Sequence, residues 1–193
     1  MSNAQSQAMT LVLCEGKDDE GFLKWVAEAA CIDGLVIHEV GGKDASVAKF
    51  RAFVQDPVFE SGPAIVIVVF DADDKPQARR TSILRRLESA APNTKHRIYL
   101  FPDNAGRGDL EDLCLKASVD TIRLQCADAL AKCLETNGYK SFKRSKLTLL
   151  AHIAATNLER RSIEYAARDG QFDPNHKLIK KLASFLKDSV AEA

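Results

Sequence analysis

Ala64-Ile65-Val66-Ile67-Val68-Val69-Phe70-Asp71-Ala72-Asp73-Asp74 is the stretch whose reading decides the fold. Its apolar run, Ala64 to Phe70, is unbroken and rich in Ile, Val and Phe, residues that favour strand over helix. A strand that is apolar on both faces belongs in the middle of a parallel sheet covered by helices on each side. The carboxylates of Asp71, Asp73 and Asp74 follow at its carboxyl end, where open α/β sheets place their ligands. If the chain stays extended, Asp71 and Asp73 point the same way. Two carboxylates on one side of a strand end predict a hard cation.

The flanking sequence repeats the pattern. Thr10–Cys14 is a short buried strand that ends at Glu15-Gly16-Lys17-Asp18-Asp19. Phe22, Trp25, Val26 and Ala29 then follow at helical spacing, from a helix start near Lys17 or Asp18. Glu15 and Asp19, four apart, can face one point near its first turn. Leu35–Val40 is a second strand, and Ala45–Val54 a helix with Val47, Phe50 and Val54 on one face. After the central strand, Pro76 opens a helix at a position where its missing N–H does no harm. Ile83, Leu84 and Leu87 face inward there, and Arg79, Arg80, Arg85 and Arg86 form a solvated face. His96–Phe101 is a fourth strand. A turn-rich loop leads from it to Asp109-Leu110-Glu111-Asp112, the opening of another helix. This strict alternation predicts a four-stranded, mainly parallel sheet flanked by helices. From Thr121 onward only helices are predicted, over Thr121–Thr136, Arg144–Thr156, Arg161–Arg168 and Asn175–Val190.

Residues 10–193 therefore read as one domain, an α/β core over 10–118 with a helical extension over 119–193 packed on it. Residues 1–9 are set aside as disordered or vector-derived, with a native start near Met9. Composition adds mostly exclusions. With 27 acidic and 27 basic residues the formal net charge is zero, so bulk charge gives no argument for nucleic-acid binding. Lys140, Lys143, Arg144 and Lys146 form the best local basic patch. The five cysteines make no Cys-x-x-Cys pair, which argues against zinc and against a disulfide framework. They read as mostly buried thiols in a reducing cytoplasm. No apolar run approaches the ~18 residues of a membrane span.

Two strands thus end in acids, Glu15 and Asp19 after the first, Asp71 and Asp73 after the third. Two like charges ~4 Å apart repel by about 4 kcal/mol at an effective dielectric of 20, so such a cluster stays ionised only beside a cation. An oxygen-only donor set favours Mg²⁺ or Mn²⁺. Each residue also has a plainer role available. Glu15, Asp19 and Glu111 suit a helix first turn, and Asp74 suits a loop or cap. Gly41-Gly42-Lys43 is a turn needing positive φ or a phosphate nest. It is no P-loop, since Ile37 stands at the first glycine position and Asp44 replaces Ser or Thr.

Glu15-Gly16 after the first strand and Asp71-Ala72-Asp73 after the third resemble the Toprim fold, the Rossmann-like domain of topoisomerases, primases and OLD-family nucleases. The likeness is closest to small stand-alone bacterial proteins related to the Toprim half of OLD nucleases. Their Glu-Gly-x-x-Asp is matched by Glu15, Gly16 and Asp19, their Gly-Gly-Lys by Gly41–Lys43, and their Gly-x-Leu-Glu by Gly108, Leu110 and Glu111. Ser162–Ala167 and Phe172-Asp173 resemble the same group's C-terminal pattern. The resemblance implies divalent metals held by Glu15, Asp19, Asp71, Asp73 and Glu111, with Glu15 and Lys146 as catalytic residues. The implied activity is phosphodiester cleavage of DNA or RNA. Because OLD proteins carry an ATPase domain and this sequence shows none, the alternative is a non-catalytic module that binds nucleic acid, a nucleotide or a partner ATPase. Receiver domains and haloacid-dehalogenase phosphatases also cluster aspartates, but in the latter Asp-x-Asp follows the first strand.

Overall fold

The structure, a computed structural model, describes residues 9–42, 45–59, 62–139, 143–156 and 162–193. Lys43, Asp44, Lys140 and Arg161, and the first eight residues, lie outside that set.

Strands β1 (Thr10–Cys14), β2 (Leu35–Glu39), β3 (Ile65–Asp71) and β4 (Lys95–Phe101) form one sheet in the order β2-β1-β3-β4. Every pairing between them is parallel, with Thr10 opposite both Leu35 and Ile65, and Ile65 opposite Lys95. Helices α1 (Lys17–Ala29), α2 (Val47–Val54) and α3 (Pro76–Ala90) make the crossovers. The chain steps from β1 outward to β2, then returns past β1 to lay down β3 and β4 on the other side. That reversal opens a crevice between the carboxyl ends of β1 and β3.

The period of two along each strand sorts the core into two layers. Val12, Ile67, Val69 and Tyr99 face a cluster that includes Phe22 and Trp25 of α1, and Leu113 and Cys114 of α4 (Leu110–Ala117). Ile163 and Ala166 of α7 (Ile163–Arg168) and Leu182 and Leu186 of α8 (Lys177–Ala191) complete that layer. Leu11, Leu13, Val68 and Phe70 face the other side, against Phe50 of α2 and Ile83 and Leu87 of α3. Ile65 through Phe70 are all fully buried, as a central strand requires. Burying a Val, Ile or Phe side chain contributes about 1.5–3 kcal/mol, which makes β3 the best-anchored element of the sheet.

α5 (Thr121–Thr136) and α6 (Arg144–Ala154) pack on each other, and α6 also touches α4. Leu149 and Ile153 of α6 join the α1 layer. Local capping moves several boundaries from the sequence-based expectation. The Ser46 side chain accepts from Lys49 N, so α2 begins at Val47. Ser162 accepts from Tyr165 N in the same way and starts α7 at Ile163. β3 also takes in Asp71, pairing it with Phe101.

Three expectations about exposure are corrected. Cys14 and Cys114 are buried, but Cys31, Cys126 and Cys133 are exposed. Cys126 and Cys133 lie on α5 opposite Ala127 and Ala131, the residues that face into the fold. The arginines of α3 do not form one solvated face either. Arg80 turns in to donate to Ile98 O (3.0 Å) and Asn104 Oδ1 (2.6 Å), and Arg79 reaches the end of β1. Leu84, expected inward, is 40% exposed, and Ile83, Leu87 and Ala90 are the buried residues of the helix.

Candidate functional site

The chain leaves β1 at Cys14 and bends at Glu15 and Gly16, with Gly16 the extended N-cap of α1. Asp19, in the first turn, folds back so that its Oδ2 accepts from Gly16 N at 3.2 Å. Asp18 turns the other way and accepts from Ile163 N at 3.2 Å, holding the start of α7. In the parallel register Cys14 sits beside Val69, so Glu15 lies level with the end of β3. Its Oε1 accepts from Asp71 N (3.1 Å) and from Arg79 Nη2 (2.5 Å). The Arg79 guanidinium lies 5.1 Å from the Phe70 ring centroid, held between the aromatic face and the carboxylate.

Asp71 closes β3, and its Oδ1 accepts from Leu110 N at 2.9 Å. That contact depends on Gly108. Its φ is +135°, and a Cβ there would stand 2.5 Å from Asp112 Oδ2 and 2.9 Å from Pro102 Cδ. A glycine is therefore required to bring the start of α4 against β3. Asp109 caps α4 by accepting from Asp112 N (2.9 Å), and Asp112 returns the bond by accepting from Asp109 N (3.2 Å). These reciprocal bonds occupy two of the three acids that begin α4 and leave Glu111 to face the crevice.

Glu15, Asp19, Asp71, Glu111 and Lys146 line one cavity of about 440 Å³ at the β1/β3 carboxyl edge. Gly41 and Gly42 also line it, both at positive φ, and Gly42 N donates to Glu15 O at 2.7 Å. The positive-φ turn expected there is present. Electrostatics within the cavity are uneven. Burial, followed by the charges of Asp19, Glu15 and Glu111, pushes the Asp71 carboxyl up to about 9. Burial and then Glu15 push Asp19 up to about 7. Glu111 is raised by burial and Asp109, with Lys146 and Lys143 acting against them. Near neutral pH the cleft therefore retains protons that any arriving cation must displace.

Asp73 is placed elsewhere. The extended conformation ends at Asp71, and Asp73 has φ +52° and pairs with Gly108 in an antiparallel bridge. Its side chain lines a neighbouring cavity and accepts from Lys143 Nζ at 2.9 Å. The expectation that Asp71 and Asp73 present carboxylates to one point thus fails on a single backbone turn. Lys143 also stands 3.6 Å from Asp109 Oδ2, which in turn accepts from Ser145 Oγ at 3.3 Å. The expected basic patch is largely matched by acids, since Arg144 makes a bidentate pair with Asp128 at 2.7 Å. Sequence reading placed Arg79 on a solvated face and Lys143 in a basic patch, and joined neither to its acid. Arg79 is 64 positions from Glu15 and Lys143 is 70 from Asp73, so no local signal joins them.

Among the described residues, no three His, Cys, Asp or Glu side chains are drawn together closely enough to hold a metal ion as they stand. The donor chemistry nonetheless fits a hard divalent cation. The acids of the cleft offer only oxygen, and their mutual repulsion is the kind that bound charge relieves.

Among the described residues, no helix is long and apolar enough to cross a membrane. The sequence matches no curated protein. The chain is similar in structure to the C-terminal region of the Burkholderia pseudomallei OLD protein, at 18% identity and a TM-score of 0.53. That similarity covers 95% of this chain and 98% of the other, and it supports the Toprim-like α/β fold expected from the sequence. A family profile matches residues 9–191, and on that match the chain belongs to the family described as protein of unknown function, DUF3226.

Proposed function

We propose that the chain is a nucleic-acid-directed Toprim-like module whose acidic cleft carries out divalent-metal-dependent phosphodiester cleavage. The observation that carries this reading is the convergence of Glu15, Asp19, Asp71 and Glu111, with Lys146, on one cavity at the topological switch point of the sheet. Those four carboxylates would hold Mg²⁺ or Mn²⁺. A bound ion there would activate water and offset charge on the leaving oxygen.

The chain's own residues have distinct tasks. Glu15, fixed by Arg79 and by Asp71 N, is a preset oxygen donor with little freedom to swing away. Asp71 is aimed by Leu110 N, so α4 and β3 jointly set its position. Lys146, on the α6 wall, would place a positive charge beside the equatorial oxygens of the phosphoryl group. Asp73 would hold Lys143 and would not bind metal, since it lines the other cavity.

The test is calorimetric titration of Mn²⁺ and Mg²⁺ into the wild type and Asp71→Asn, followed by cleavage assays on DNA and RNA. Saturable binding that disappears in Asp71→Asn, with metal-dependent cleavage lost in parallel, is the expected result. No wild-type binding at millimolar metal would remove the enzyme reading. A second reading, a non-catalytic module that binds nucleic acid, a nucleotide or a partner ATPase, draws support from the spread of the carboxylates. It predicts binding to such a partner with no turnover. A cytoplasmic setting goes with either reading.

A further inference from the structure

The Glu15–Arg79 ion pair is a wall with two sides. Glu15 lines the acidic cleft, and Arg79 lines a second cavity of about 550 Å³ bounded by the first turns of α3 and by Lys143 just ahead of α6. Lys75 at the N-cap of α3, and Arg79, Ser82 and Arg86 within it, recur at intervals of four, three and four residues, which places them along one side of the helix. All four border this cavity, as do Asp73 and Asp74. Cations therefore outnumber carboxylates here, in a chain whose formal net charge is zero.

The charges in this cavity are only partly cancelled. Arg79 is paired with Glu15 and Lys143 with Asp73. Lys75, at the N-cap of α3, is exposed and has no ion-pair partner among the described residues. Arg86 donates to Ala45 O at 3.3 Å, which fixes its guanidinium against the loop that precedes α2. Guanidinium, ammonium and hydroxyl groups around one concavity are the donor set that recognises phosphate oxygens. The adjoining cleft has the opposite sign. A ligand drawn to both would offer one phosphate to the cleft, where Glu15, Asp19, Asp71 and Glu111 would hold a divalent cation, and a second phosphate to the cations next door. A polynucleotide carries phosphates in that serial arrangement, whereas an isolated phosphate ion can fill only one of the two places.

We infer that the cavity bordered by Lys75, Ser82, Arg86 and Lys143 is a subsite for a nucleic-acid backbone phosphate next to the one offered to the acidic cleft. Its assignment to nucleic acid rests on the phosphodiester reading above, whereas its preference for an anion does not.

The experiment measures fluorescence anisotropy of labelled DNA and RNA duplexes of one sequence, in excess EDTA, across a salt series. The proteins are the wild type, Lys75→Glu and Arg85→Glu. Arg85 lies on the same helix outside the cavity and changes net charge equally. Lys75→Glu is expected to weaken binding about five- to tenfold and to flatten the slope of log affinity against log salt by about 1, the loss of one phosphate contact. Arg85→Glu is expected to change affinity less than about twofold. The relative affinity of the two duplexes identifies the natural backbone. Mn²⁺ titration and the melting temperature of Lys75→Glu should match the wild type. Equal effects of the two reversals, or no binding of either duplex by the wild type, overturn the inference. If Mn²⁺ binds but duplex affinity ignores Lys75, the subsite fails and the metal reading stands. If duplex binding depends on Lys75 but Mn²⁺ does not bind, the subsite stands and the cleavage reading fails.

Discussion

Asp71 and Asp73 leave the same strand two residues apart and enter opposite electrostatic environments. Asp71 looks into a cleft shared with Glu15, Asp19 and Glu111, where burial and neighbouring carboxylates raise its carboxyl far above the usual range. Asp73 looks into a cavity where Lys143 answers it at 2.9 Å. In the second cavity the protein answers the Asp73 carboxylate with its own lysine. In the first, Lys146 faces four acids, and Arg79 pairs with Glu15. A fold keeps such an imbalance at a cost in stability, and an uncompensated cluster in a crevice is where an external charge is expected.

The largest effect should separate the two aspartates. Asp71→Asn is expected to abolish Mn²⁺ binding and to lower any cleavage rate by a factor on the order of 10² or more, as losing a charge-stabilising group in an active site does. Asp73→Asn should lower either by less than about tenfold, because its partner is a lysine across the wall. Comparable losses in both would erase the distinction between the cavities.

Arg79→Ala comes next. Glu15 and Arg79 are both mostly buried, at 15% and 11% side-chain exposure, so removing the guanidinium leaves a poorly solvated carboxylate. The expected loss is about 2–4 kcal/mol, read by chemical denaturation of the metal-free protein. Saturating Mn²⁺ should recover part of it. A loss no larger than that of Arg85→Ala would show that Glu15 does not depend on this pair.

A pH series sharpens the contrast further. Asp19 and Asp71 bind protons more tightly folded than unfolded, with folded values of about 7 and about 9. Between the ordinary carboxylate range and those values the folded state holds more protons, so stability falls as pH rises. The melting temperature of the metal-free protein should therefore drop from about pH 5 to pH 9, and Asp71→Asn should flatten the drop. Metal binding displaces the same protons, so Mn²⁺ affinity should climb over that interval. A flat profile in the wild type would mean the cleft acids do not interact as described.

The smallest effect belongs to Lys143→Ala. Its side chain is 61% exposed, so the pair with Asp73 is screened, and stability should change by less than about 1 kcal/mol. A larger loss, measured by the same denaturation, would show that Asp109 and Asp73 both lean on this lysine.

The path from sequence to site was legible where the information was local. The unbroken apolar run through Phe70 announced a central strand, and Glu15-Gly16 and Gly108-x-Leu110-Glu111 marked strand-to-helix junctions. Local signals did not extend to Arg79, whose place among the helix arginines suggested solvent until the fold brought it to Glu15. Among Asp109, Glu111 and Asp112, first-turn composition made all three equivalent. In the fold Asp109 and Asp112 cap each other and Glu111 lines the cleft. Cys126 and Cys133 looked apolar by pattern, yet α5 buries Ala127 and Ala131 and leaves both thiols exposed.

By itself, the sequence determined the order of strands and helices and the acids at two strand ends. Periods of 2 and 3.6 residues are written in neighbouring positions and need no partner to be read. The tertiary structure decided which charges meet. Whether Asp73 joins Asp71 turned on one backbone dihedral, and whether Glu15 is paired turned on an arginine 64 positions away. Coulomb energy depends on distance in space, and only the folded chain sets that distance.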